Sequence, residues 1–140
     1  MRDPQRRLLW HGILLVLIGL VTGAFLSSYT SPRLGLSAHV GGIMNGMLVV
    51  ILGLIWPHVS LSARAAMVLF WSSVCSGYAN WAGLFLAAVF GTSRTTPLLG
   101  AGHVGTAWQE ALVAVCLIGG AAGVLGACGL ALVGLGASRR

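Results

Sequence analysis

Charge is what this sequence has least of. Among 140 residues there are eight Lys or Arg and two Asp or Glu, 7% in all, against 57% hydrophobic residues and a mean hydropathy of +0.94. A soluble domain carries about 25% charged side chains. Ten charged groups cannot solvate a globule of this size, so most of the surface must face lipid. Cysteine is scarce as well: Cys75, Cys116 and Cys128 lie inside apolar runs, an odd number without a CxxC pair. That excludes a disulfide framework and a zinc site. The net charge of +6 does not imply nucleic acid, because the arginines sit at the ends of apolar runs and do not interleave with aromatics. No repeat relates the two halves, so the inverted-repeat signature of transporters is missing.

What is abundant is long apolar sequence. A spanning helix needs about 20 mostly apolar residues, and four segments qualify: Leu8–Ser28, Ser37–Trp56, Ala65–Phe90 and Ala107–Ala137. The expected fold is all-α, an integral membrane four-helix bundle forming a single domain over residues 1–140. Arg2, Arg6, Arg7, Arg64, Arg139 and Arg140 fall on one side of these spans, and Arg33 and Arg94 on the other. That bias predicts both termini in the cytoplasm of a multi-pass protein of the cell (inner or plasma) membrane. Glycines four apart, Gly19–Gly23, Gly42–Gly46 and Gly119–Gly123, predict close helix contacts, since packing drives association in lipid.

Against this background the polar groups stand out. In "SAHVGGIMNGM", residues 37–47, Ser37 reads as the N-cap of the second helix, with His39 in its first turn. There the helix dipole favours a neutral imidazole, the form that ligates a metal. Gly42 and Gly46 lie within about 60° of His39 around the helix, and Asn45 about 120° away. The two glycines are either a helix contact or a smooth strip on which a porphyrin could lie. The third span carries Tyr78 and Asn80, the latter at a depth similar to Asn45. Two such amides either hydrogen-bond each other or orient a substrate. The connection before the fourth span, "GTSRTTPLLGAGHVGTAWQE", is long enough to read as a lid or binding loop and holds His103. Thr106 and Gln109 fit a capping box, and Glu110 follows in the first turn.

Three stretches together, "GLSAHVGGIMNGMLVVILGLIWP", "YANWAGLFLAAVFGTS" and "TPLLGAGHVGTAWQE", resemble hydroxylaminobenzene mutase, a small four-span membrane enzyme. The likeness covers nearly the whole chain except the Gly-rich end of the fourth span. The chain is also distantly similar to styrene oxide isomerase, sharing A-H-x-x-x-x-x-N-G-M and a W/Y-A-N segment. That resemblance implies a trimer with haem b at subunit interfaces, His39 as the ligand to iron and Asn45 positioning substrate. Where the isomerase has a tyrosine four residues after the W/Y-A-N asparagine, this chain has Leu84.

The implied reaction is a Bamberger-type rearrangement of an arylhydroxylamine to a 2-aminophenol, with haem iron as Lewis acid; the partners are a small aromatic substrate and the membrane lipid around the chain. Asn45 and Asn80 would hold the N–OH group, Tyr78 or Trp81 would contact the ring, and His103 and Glu110 are candidates for a proton relay. An epoxide isomerase of the styrene oxide type stands beside this reading. So does a bis-His haem electron carrier using His39 and His103, although a fixed ligand does not suit a flexible Gly-rich loop. A haem-free packing or transport subunit is the remaining class.

Overall fold

A computed structural model describes residues 3–137. Arg2, Arg139 and Arg140, which carry part of the charge bias, lie outside the described residues. The described chain holds four long helices: α1 (Pro4–Ala24), α2 (Pro32–Ile55), α3 (Ala63–Phe90) and α4 (Ala107–Gly136). Each is long and apolar enough to cross a membrane.

The helix starts depart from the apolar runs. Helix α1 begins four residues before the first apolar run because Asp3 caps it: its carboxylate accepts the Arg6 N–H at 3.1 Å, and Pro4 follows directly. Helix α2 begins at Pro32 rather than Ser37. Proline suits the first turn, where its missing N–H is not needed. Ser37 is therefore not a cap; its hydroxyl donates to the Arg33 carbonyl one turn back, at 3.2 Å. Helix α3 starts after Ser62, whose Oγ accepts the Ala65 N–H at 3.3 Å, and stops at Gly91, which takes the left-handed conformation with φ 67°. Helix α4 opens on the expected capping box, with the Gln109 side chain accepting the Thr106 N–H at 2.8 Å.

Helix α1 packs on α2, α2 on α3 and α3 on α4. Glycine sets the closeness of the first pair. A Cβ on Gly42 would fall 2.8 Å from the Gly19 Cα, and one on Gly46 would fall 2.7 Å from the Gly12 carbonyl oxygen. Between α3 and α4 the contact glycines are Gly83, Gly120 and Gly123; Gly119 faces open space. Three small clusters fill the interior: Leu8, Val49, Phe70 and Val74; Leu34, Ala87, Ala88 and Val113; and Leu52, Leu69, Ala127 and Ala131. The outer faces carry bare Leu, Val, Ile, Met and Trp side chains, as expected where hydrocarbon is the solvent. All three cysteines are free.

Candidate active site

The early start of α2 moves His39 away from the first turn, so the dipole argument for its neutrality does not apply. Its neighbours supply another constraint. The half-buried imidazole lies against α1, where Nδ1 is 2.8 Å from the Gly19 carbonyl oxygen. A carbonyl only accepts, so Nδ1 carries the proton, and in the neutral ring Nε2 is left with a free lone pair. Among the described residues Nε2 has no hydrogen-bond partner. Gly23 makes room for this arrangement, since a Cβ there would overlap the imidazole.

Gly42 and Gly46 do not form an open strip below His39. Both are buried in the α1–α2 contact, Gly42 also against the Trp81 ring. Both glycines thus serve the close α1–α2 contact, the first of the two readings their spacing offered.

Asn45 faces the other way. Its Cβ stands beside Gly77 on α3, and its Nδ2 donates to the Gly41 carbonyl of its own helix at 2.7 Å. The amide-to-amide bond considered for Asn45 and Asn80 is not formed. Asn80 stands over Gly120 of α4 and its side chain is unbonded among the described residues. Asn45 thus faces α3 and Asn80 faces α4, whereas His39 lies against α1.

Tyr78 is drawn elsewhere. Its Oη lies 3.3 Å from Nδ1 of His11 and donates to the His11 carbonyl at 3.4 Å. His11 precedes Gly19 by eight residues, about 12 Å along α1, so the phenol is remote from His39. Trp81, one turn further on, donates Nε1–H to Thr22 Oγ1 at 3.1 Å and stacks on Phe85, with centroids 5.3 Å apart. Phe85 meets Tyr29 edge-on, and Tyr29 Oη donates to the Thr22 carbonyl at 3.0 Å. This aromatic wall between α1 and α3 had one legible signal, the i, i+4 spacing of Trp81 and Phe85; its partner Thr22 had none.

The loop over residues 91–106 is tied down, contrary to its expected flexibility. Glu110 is 6% exposed, and its carboxylate accepts three backbone N–H groups: Ser93 and Arg94 at 3.0 Å and Gly105 at 3.2 Å. Such a carboxylate holds the loop through its backbone. His103 packs against Gly91 and keeps its Nδ1 buried without a partner among the described residues, as do the hydroxyls of Thr92, Thr95 and Thr96. No contact of either ring joins His103 to His39. Among the described residues no three His, Cys, Asp or Glu side chains gather to hold a metal ion.

The sequence matches the styrene oxide isomerase family over residues 4–136. It is 46% identical over 131 residues to the hydroxylaminobenzene mutase HabB of Ectopseudomonas oleovorans, covering 93% of this chain and 80% of that one. To HabA of the same organism, also a hydroxylaminobenzene mutase, it is 36% identical over 114 residues, covering 81% and 84%. No solved structure matches. The four apolar helices and these relatives make it a membrane protein and an isomerase, and the chain belongs to the styrene oxide isomerase family as a hydroxylaminobenzene mutase-like member.

Proposed function

We propose that this enzyme converts an arylhydroxylamine to a 2-aminophenol by moving the hydroxyl oxygen from nitrogen to the adjacent ring carbon, with haem b held by His39. One observation carries the haem assignment: Nδ1 of His39 is committed to the Gly19 carbonyl. A backbone or carboxylate partner on one ring nitrogen is the usual way a protein orients an imidazole whose other nitrogen binds metal. His39 would thus suit as the residue that holds the haem iron. When bound, ferric haem would supply a Lewis acid for the departing oxygen.

The reaction balances without a redox partner. The N–O bond breaks heterolytically, a C–O bond forms at the ortho carbon, the ring loses one proton and nitrogen regains one. The chain's part is to hold the N–OH group, keep bulk water from the cationic arene and handle the proton. Asn45 Oδ1 and the Asn80 amide are available for the first task. The apolar surroundings perform the second. His103, with an unpartnered Nδ1, is assigned the proton.

His39 and Asn45 point about 120° apart on one helix, so a site using both needs a second copy. The His39 face of one protomer meets the Asn45–Asn80 face of the next. A head-to-tail contact whose rotation closes forms a ring, and we assign a trimer with haem between subunits. The arginine bias puts both termini in the cytoplasm, with the protein in the inner or plasma membrane.

The deciding experiment is the absorption spectrum of detergent-purified protein beside its turnover of phenylhydroxylamine, wild type against His39→Ala. A Soret band and 2-aminophenol formation, both lost in the variant, support the reading. Turnover without any haem, or a six-coordinate spectrum that persists until His103 is also removed, overturns it.

A further inference from the structure

Two grooves run end to end along the outer side of α1 and share Leu17. They differ in chemistry. The one between α1 and α3, about 590 Å³, is walled by Trp81, Phe85 and Tyr29. Its indole and phenol are already bonded to Thr22, so it offers an apolar surface and no charge. The other, about 460 Å³, is lined by Arg6, Leu9, Trp10, Ile13, Leu14 and Leu17. It has a cation at one end and hydrocarbon along the rest.

Arg6 is exposed, and among the described residues its guanidinium makes no ion pair. The Asp3 carboxylate beside it is turned to the helix start, accepting the Arg6 backbone N–H. The next arginine, Arg7, points elsewhere, over the rings of Phe70 and Trp71. Trp10 is 61% exposed, an amphipathic ring of the kind that sits at headgroup level. From Arg6 to Leu17 is eleven residues, about 16 Å of helix. That is close to half of a hydrocarbon core about 30 Å thick, the depth one acyl chain occupies in its leaflet.

We propose that this groove binds an anionic phospholipid, its phosphate on Arg6, its glycerol region beside Trp10, and one acyl chain along Leu9, Ile13, Leu14 and Leu17. The charge inventory argues against a second copy as occupant. The sequence has two acidic residues; Glu110 is buried in its loop and Asp3 caps α1, so a neighbouring copy has no side-chain carboxylate to spare for Arg6. The proposal rests on the reading that the chain spans a membrane.

The test is native mass spectrometry of the full-length protein in detergent, with phosphatidylglycerol and phosphatidylcholine added in equal amounts. Wild type retains phosphatidylglycerol preferentially. Arg6→Gln lowers that preference about fivefold, the effect of one basic side chain at an anionic surface, while Arg6→Lys keeps it. Leu14→Trp fills the groove and lowers retention of both lipids, and Arg33→Gln, at the far end of the bundle, leaves the preference unchanged. Equal retention of the two lipids by wild type overturns the proposal. So does an unaltered preference in Arg6→Gln, or a Leu14→Trp variant that keeps its lipid and changes the number of chains per complex. Protein recovered from the soluble fraction would instead overturn the membrane reading, a failure separable from lost selectivity in membrane-extracted protein.

Discussion

Nδ1 of His39 lies 2.8 Å from the carbonyl oxygen of Gly19, across the α1–α2 contact, with Gly23 leaving space for the ring. The bond orients the imidazole through the partner helix rather than through its own. Ring orientation therefore depends on how closely α1 and α2 approach. Gly23→Ala, which keeps His39 but crowds it, is expected to lower haem retention and turnover together by about 10–100-fold, the usual cost of disturbing a ligand's supporting contacts. Haem content per chain and the initial rate with phenylhydroxylamine measure it; a variant with full haem and full rate would show that Gly23 is mere packing.

Glu110 holds the 91–106 loop through three backbone N–H groups. Glu110→Ala leaves those donors without a partner, at a cost of about 3 kcal/mol. Glu110→Gln keeps an oxygen in place and is expected to lose less. The thermal unfolding midpoint in detergent falls in that order, and tryptic cleavage after the exposed Arg94 accelerates. Equal stability of all three proteins would mean that the loop is held by other contacts.

Helix number and the α4 capping box were legible in the sequence because each depends on local chemistry. The starts of α1 and α2 were not. Hydropathy reports where the apolar run begins, whereas the hydrogen-bond ladder begins at Pro4 and Pro32, among polar residues. The divergence of His39 and Asn45 around α2 followed from the helical period alone. Which neighbour each would meet did not, since in a chain built for lipid every face is apolar and the pattern no longer marks the buried side. The role of Glu110 was hidden for a related reason: a carboxylate in a first turn is explained by the dipole, and its bonds to Ser93 and Arg94 arise only when the loop folds back.

If the reaction site joins His39 of one protomer to Asn45 of the next, two inactive variants should repair each other. His39→Ala and Asn45→Ala are each expected to lose at least about a hundredfold in rate, the scale of removing a ligand or an oriented hydrogen-bonding group. In mixed oligomers assembled from equal amounts, a site is intact when the Asn45→Ala chain supplies the histidine and the His39→Ala chain the asparagine. In a head-to-tail ring that holds for about a quarter of interfaces, so coexpression recovers about a quarter of wild-type turnover. No recovery would put both residues in a site within one chain.

The glycines separate packing from coincidence. Gly119 and Gly123 have the four-residue spacing that favours close helix contact, yet a Cβ on Gly119 meets nothing within 4 Å, whereas one on Gly120 falls 3.0 Å from the Asn80 backbone nitrogen. Gly119→Ala is therefore expected to be neutral or stabilising by about 0.5–1 kcal/mol, from the gain in helix propensity. Gly120→Ala forces α3 and α4 apart and should cost about 1–3 kcal/mol, as overpacking does. It should also reduce turnover, because Asn80 moves with the backbone it stands on. Unfolding midpoints in mixed detergent measure the first effect and initial rates the second. Were Gly119→Ala the more damaging substitution, the bare face of α4 would be a contact surface in the assembled enzyme rather than one given over to lipid.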